Sequence, residues 1–471
     1  MSGFSQHEQE RRRMEVNNQA TPNEIVNPLE ASMGEKLYNL SPVSPMRCIY
    51  RVPNRLRHAN EKAYTPNLVS IGTFHHGNEA LKPMEEHKMR YLKAFLGRST
   101  LSLSGYILKI KAQEERLRSC YIETIELDSD EFARIILVDA AFIIEVLLRS
   151  YYDHLVDAND CIFRRPKLIW DLWPDMLLLE NQLPFFILED LCPQLINSSS
   201  GGTTRRLSMV VLSLEFFNNW RILGIEGTVQ ENDVKIRSQQ EVKHLLDLLR
   251  TLLMLPMLES QNGGNFHFPP STTKLHQAGV KFKVGPRKSL SSIQFIDGIL
   301  EIPKLILEDH TELIMRNVVA YEQCNFPSKC CVSDYVLVLD SLVDTAKDVE
   351  LLIDYGIFEN CLGDSNEVSR WINSLNIGVG YSGDFYFSTV CQNLTKHCDV
   401  GWHKRMANLR QNYFNTPWRT ISVVAAGCHS SRGFSFDCCH SSRAFSHRLW
   451  YFNRDRDCDS EEWRAGLQFE A

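Results

Sequence analysis

The chain has 471 residues, 44% hydrophobic and 23% charged, with a net charge of −7. Those values are ordinary for a folded soluble protein and exclude wholly disordered, fibrous and membrane-embedded classes. The mild negative charge supplies no global basic field for nucleic acid or anionic lipid, and fourteen cysteines without any C-x-x-C pair fit neither a disulfide scaffold nor a zinc ribbon.

Residues 1–46 are polar, carry the run Arg11-Arg12-Arg13 and lack the apolar stretch of a secretory signal. They read as a disordered or loosely attached arm. Order begins at Cys48-Ile49-Tyr50. The segments before Pro53 and Pro66 are extended, because the residue preceding proline avoids the helical region. Val69 to Gly77 is a short strand or loop. From about Met84, the offsets of Met84, His87, Tyr91 and Phe95 place them on one helical stripe.

A second helix is expected over 130–150, with Phe132, Ile135, Ile136, Ile143, Val146 and Leu147 as its core stripe. Residues 135–148 are apolar but too short to span a bilayer, and they contain Asp139 and Glu145. A helix apolar nearly all round belongs at the centre of a core. Residues 170–191 read as two short helices hinged at Gln182-Leu183-Pro184, since proline lacks the amide donor a continuous helix needs. Residues 195–206 form a Ser/Gly loop, and 234–258 an amphipathic helix.

The period then changes. Val280 to Val284 alternates apolar and polar residues, and two apolar segments flank Asp297-Gly298, a hairpin-turn dipeptide. Helices resume at 311–324, 332–345, 347–355, 367–375, 386–398 and 403–414. The fold class expected is mainly α: a large helical domain over 47–426 with a small antiparallel β-hairpin insert and a C-terminal helical lobe from about residue 300.

Several motifs in fixed order resemble one plant family. The opening comprises Val52-Pro53, Leu56-Arg57, Asn60, Ala63-Tyr64, Pro66 and Val69 to Gly72, then His75-His76-Gly77 and Met84 to Leu92. Asp175 to Leu188, His244 to Leu249, Ala278 to Lys283, Gly298 to Pro303, Arg316-Asn317 with Glu322-Gln323, and Tyr413-Phe414 with Pro417-Trp418 continue the series. Together they resemble the plant domain of unknown function 247, also catalogued as uncharacterised protein family 0481. The resemblance implies a mostly helical protein with no established activity or cofactor. Relatives typically carry a C-terminal membrane anchor at the plasma membrane, and some grass relatives are implicated in self-incompatibility. Here the chain departs from the pattern after Gly427: from Cys428 to Ala471 there are two Leu, no Ile or Val, seven Ser and six Arg. This Ser/Arg/Cys-rich tail, 427–471, reads as a shifted frame or alternative 3′ exon in place of the membrane segment. The location expected is therefore cytoplasmic or peripheral to a membrane.

No nucleophile elbow, phosphate-binding loop, dinucleotide fingerprint or H-E-x-x-H motif occurs. Asp139 on an apolar face must be paired, hydrogen-bonded or protonated. Glu180, Asn181 and Gln182, framed by Met-Leu-Leu-Leu and Leu-Pro-Phe-Phe, must find interior partners. With Glu322 and Gln323 they are read as one buried polar network that fixes helix packing. His87 is read as a hydrogen-bonded core histidine, and His75 and His76 as turn residues whose imidazoles cap backbone. No catalytic, cofactor or metal residues are assigned and no cofactor is expected. The expected function is a non-enzymatic interaction or recognition component that binds an unidentified protein and not nucleic acid. The rival is a hydrolase or metal-dependent enzyme using His75, His76, Glu85 or Asp139.

Overall fold

The computed structural model describes residues 28–38, 44–192, 208–219, 241–254, 267–286, 289–328, 330–380 and 384–399. The tail at 427–471, the loop at 195–206 and the helix expected at 403–414 lie outside the described residues. Within the N-terminal arm, α1 (Pro28–Tyr38) is helical. It exposes Leu29, Met33 and Leu37, spaced four apart along one face.

The centre of the core is α4 (Ser129–Tyr151), which is preceded by α2 (Pro83–Arg98) and α3 (Leu103–Lys111). Asp128 starts α4 by accepting the amides of Asp130 and Glu131, an N-cap that satisfies donors left without intrahelical acceptors. From Ile135 to Arg149 every residue of α4 is buried. Its flanks are covered by α2, α3, α6 (Phe185–Leu191) and α7 (Met209–Asn219). Between these, α5 (Pro166–Asp175) ends at Asp175, and the chain runs through a buried turn from Met176 to Pro184 before α6 starts. The proline hinge expected there is present.

The helix expected over 234–258 is shorter at its described start. Residues 241–244 are non-helical, and α8 (Leu245–Leu253) begins after His244, whose Nδ1 accepts the Asp247 amide at 3.2 Å. This imidazole cap interrupts a pattern that hydropathy alone reads as continuous.

After α9 (Thr272–Gln277) the chain forms β1 (Lys281–Val284), β2 (Gln294–Ile296), β3 (Ile299–Ile302) and β4 (Leu305–Leu307). β2 and β3 are antiparallel around Asp297 and Gly298, which take φ of 51° and 79°. Two successive positive φ values make the tight turn that the dipeptide predicts. The insert is nevertheless not purely antiparallel. β1 pairs with β3 in parallel, and β4 pairs in parallel with β5 (Phe358–Asn360). Parallel neighbours need long crossovers, so no local turn in the sequence marks either pairing.

The remaining helices are α10 (Thr311–Asn325), α11 (Cys331–Leu342), α12 (Ala346–Asp354), α13 (Ser365–Leu375) and α14 (Ser388–Asp399). α10 packs on α8, α11 and α13, and α14 rests on β2. A strap of chain, residues 44–72, irregular but for short helical turns at Asn54–Arg57 and Glu61–Tyr64, ties this helical group to the α4 group. Tyr50 Oη donates to Asn325 Oδ1 at 2.9 Å, Asn60 Nδ2 to Glu312 Oε1 at 3.0 Å, and Asn317 Nδ2 to the Ala63 carbonyl at 2.7 Å. Arg55 donates to the Gly378 carbonyl. The chain is thus mainly α-helical with small sheets of two and three strands.

Truncating a side chain at the centre of α4 should therefore be costly. Leu147→Ala is expected to lower unfolding free energy by about 2–5 kcal/mol through lost burial and the cavity left behind. The exposed Leu108→Ala should stay within about 0.5 kcal/mol of the parent. Urea denaturation of both variants checks the contrast.

Candidate functional site

From exposed Asn67 the chain runs inward to buried Val69 to Gly72 without regular secondary structure. Its amides still require acceptors, because a buried unpaired backbone donor is expensive. Side chains provide them. Asp175 accepts the amides of Asn67 at 2.9 Å, Leu68 at 2.6 Å and Val69 at 2.9 Å. Asn181 Oδ1 accepts from Ile71 at 2.7 Å, and Asp139 Oδ2 from Gly72 at 2.8 Å. Asn181 Nδ2 returns bonds to the carbonyls of Val69 at 3.0 Å and Asp175 at 2.9 Å. The Ser70 carbonyl takes Lys88 Nζ at 2.9 Å.

Lys88 supplies the compensating charge. Its side chain is 1% exposed, and Nζ sits 2.6 Å from both Asp139 Oδ1 and Glu85 Oε1. Burial opposes its ammonium, but the two carboxylates outweigh that and hold its pKa above the usual lysine value. Burial pushes the Asp139 carboxyl up, against the pull of Lys88 and the Gly72 amide. Among the described residues Asp175 forms no ion pair, and its carboxylate bonds go to the three amides. Burial raises it to about 6, although three amides pull the other way.

Gly72 shows why this loop has a glycine. Its φ is +71°, and a Cβ there would lie 2.8 Å from the Gln182 carbonyl oxygen and 3.0 Å from Tyr121 Oη. Gln182 holds the buried turn after α5: Nε2 donates to the carbonyls of Met176 at 2.7 Å and Leu178 at 2.9 Å.

Glu180, in the same turn, faces the strap. It accepts the Val52 amide at 2.7 Å, is bonded by Arg57 and lies 3.5 Å from Arg51 Nη1. Burial works against its charge, yet His75, the Val52 amide and Arg57 keep its carboxyl below the ordinary range. His75 Nε2 stands 3.3 Å from Glu180 Oε2, off the direction of a hydrogen bond. His76 Nε2 is 3.5 Å from Glu131 Oε1. Both imidazoles therefore face carboxylates, where capping of backbone was expected. His87 is half-buried, with Nδ1 2.9 Å from Cys161 Sγ and 3.0 Å from Arg90 Nη1. Lys88, one residue on, takes the fully buried place on that helix.

Glu322 and Gln323 were expected to share the network of residues 180–182, but their hydrogen bonds go elsewhere. Glu322 accepts Arg250 Nε at 2.8 Å, the Ser333 amide at 2.7 Å and Ser333 Oγ at 2.9 Å. Gln323 clasps the backbone of Gly380 with both ends of its amide. Adjacent helical residues point about 100° apart, so neighbours in sequence serve different partners.

Further buried groups, Glu145, Asp160, His244 and Asp334, were given no role from the sequence. Glu145 is bonded by Arg98 and by Arg149 Nε at 3.2 Å, and Arg149 also bonds Asp160. Asp160 Oδ1 accepts the amides of Ile162 and Phe163, both at 2.9 Å. His244 Nε2 lies 3.0 Å from the Cys48 carbonyl oxygen, and burial lowers its pKa to about 4. Asp334 accepts the Tyr386 amide through Oδ2 at 2.8 Å, while Oδ1 has no hydrogen-bond partner among the described residues.

Among the described residues no group of three or more His, Cys, Asp or Glu side chains is placed to hold a metal ion. Among the same residues no helix is long and apolar enough to cross a membrane.

A plant family described as proteins of unknown function, DUF247, matches residues 49–429. The chain belongs to the DUF247 family. It is similar to the UPF0481 protein At3g47200 of Arabidopsis thaliana, 28% identical over 407 residues that cover 80% of this chain and 83% of the relative. A second Arabidopsis thaliana relative, the putative UPF0481 protein At3g02645, is 22% identical and covers 80% of this chain and 87% of its own length. No solved structure matches. In this DUF247 chain the loop amides and the acids that hold them fall within the matched region.

Removing one partner of a buried ion pair strands the other charge. Lys88→Met is expected to cost about 3–5 kcal/mol. Adding Asp139→Asn to that variant should cost less than the same change alone, with a coupling of roughly 0.5–3 kcal/mol. A double-mutant cycle in urea reads both values.

Asp334 gives a pH signature. Burial raises its carboxyl to about 7, against the Tyr386 amide and with help from the Glu322 charge. A carboxyl raised on folding contributes its stability below the unfolded pKa and loses it as pH climbs toward the folded one. Asp334→Asn keeps an acceptor for Tyr386 without the charge. The difference in melting temperature, variant minus parent, should therefore grow in favour of the variant from pH 4 to pH 8. A flat difference would remove the assignment.

Proposed function

We propose that this DUF247 chain is a non-enzymatic interaction component whose interior acids fasten the fold. The observation that supports this most is the engagement of the loop amides of residues 67–69, 71 and 72 by Asp175, Asn181 and Asp139. Carboxylates that work as backbone acceptors are committed to internal bonds.

The four residues of the enzymatic rival divide among three partners. Asp139 and Glu85 meet on Lys88, His75 faces Glu180, and His76 faces Glu131. A general base needs to reach a proton on a substrate, and each of these groups is turned toward a protein group.

The surface offers material for recognition. α1 exposes Leu29, Met33 and Leu37, a spacing that suits a helix laid into an apolar groove of a partner. α3 adds exposed Leu103 and Leu108.

Affinity purification of the tagged full chain from plant tissue, with quantitative mass spectrometry, tests the reading. A reproducible partner set should be lost by at least tenfold in Met33→Glu/Leu37→Glu, with the melting temperature unchanged. A substrate turnover abolished by Asp139→Asn in a still-folded protein would overturn it.

A further inference from the structure

Cys48 opens the strap, and Cys120 closes the short helical turn 114–118 that precedes α4. Backbone bonds bring the two together: the amides of Cys48 and Ile49 donate to the Cys120 carbonyl at 2.9 and 3.0 Å, and the Ile122 amide donates to the Ile49 carbonyl at 3.0 Å. Ile49 and Tyr121 form a parallel bridge, so Cys48 and Cys120 are cross-chain neighbours one step before it. The amide-to-carbonyl bond between the two residues sets their backbones in direct contact, the close approach that a disulfide's Cα separation of about 4.4–6.8 Å requires. Both cysteines are buried and reduced, and the Cys120 thiol donates to the Arg116 carbonyl at 3.3 Å.

We infer that Cys48 and Cys120 are a redox modification site, at which a hydroperoxide joins the two thiols into a disulfide that locks the root of the strap onto the 114–122 segment.

The surroundings favour one order of events. The adjoining Cys48 thiol, and after it the Arg116 and Lys243 cations, lower the Cys120 thiol against its burial, while Cys48 is raised by Cys120 and by burial. The Cys120 thiolate attacks the peroxide, an S–O bond forms as the O–O bond breaks, and hydroxide leaves. The Cys48 sulfur then attacks the sulfenic sulfur. An S–S bond forms as the S–O bond breaks, and the Cys48 proton leaves with the hydroxyl as water. In sum two thiols and one hydrogen peroxide give one disulfide and two waters. A small oxidant suits a buried pair.

The closed loop runs from residue 48 to 120 and contains the amide-bonded segment 67–72 and α2. Cross-linking it restricts the unfolded chain.

The test uses the reduced full chain with hydrogen peroxide, followed by alkylation under denaturing conditions, proteolysis and mass spectrometry. A Cys48–Cys120 peptide pair lighter by two hydrogens is expected, together with a rise in melting temperature of roughly 3–8 °C that dithiothreitol reverses. Both should be absent from Cys120→Ser, and from Cys48→Val, which preserves apolar packing. Complete alkylation of both thiols after exposed Cys361 has been oxidised would overturn the inference. So would a disulfide that leaves the melting temperature unchanged or lowers it.

Discussion

A buried loop without strand partners must still give its amides acceptors, and the central part of this molecule is arranged around that demand. Five amides between Asn67 and Gly72 are taken by Asp175, Asn181 and Asp139. Water is excluded from Val69, Ile71 and Gly72, so each of those amides would otherwise carry a desolvation cost of about 1–3 kcal/mol. Carboxylates are strong acceptors for such donors, but they import charge. Lys88 answers it beside Asp139, whereas at Asp175 the amides of Asn67, Leu68 and Val69 come first and His75 adds to them. At both acids burial outweighs the partners: Asp139 is pushed up in spite of Lys88, and Asp175 to about 6 in spite of three amides.

The same loop belongs to the strap that holds two helical groups together. Behind it stand α4, α5 and the buried turn; ahead of it stand α8, α10 and the segment at 376–380. Glu180 reaches the strap from one side, and Asn317, Glu312 and Asn325 reach it from the other. Asn317 spans both, because its Oδ1 also accepts the Leu179 amide at 2.9 Å. A loss of charge balance at Asp139 therefore acts on the contact between the two groups as well as on the loop.

How much of this is legible in the sequence depends on how local the cause is. The burial of α4 follows from an apolar run too long for a strand, and the β2–β3 hairpin from Asp297-Gly298. Asp139, Glu180, Asn181 and Gln182 stand out because polar side chains framed by aliphatics have no solvent to face. Lys88 does not stand out: lysine is almost never fully buried, and the stripe of Met84, Tyr91 and Phe95 accommodates His87 as readily. The pairings β1–β3 and β4–β5 join segments separated by long crossovers, and Arg98–Glu145 and Arg250–Glu322 join residues 47 and 72 positions apart. Nothing in a local window specifies such partners. His244 starts α8 by a side-chain cap that hydropathy does not register.

The ionic groups along α4 also settle a problem that apolar burial leaves open. A helix greasy on nearly every side can slide or rotate among similar neighbours with little change in buried area. Lys88 and Arg98 of α2 bond Asp139 and Glu145 of α4. At 1.5 Å per residue the first two are about 15 Å apart along their helix and the second two about 9 Å, a mismatch that the long arginine side chain bridges. Two fixed points determine both axial position and rotation. Arg149, held between Glu145 and Asp160, adds a third and brings the loop after α4 back against it. Buried ion pairs are weak sources of net stability, and their best-attested use is the choice of register. On α4 they stand where a featureless apolar surface would leave that choice undetermined.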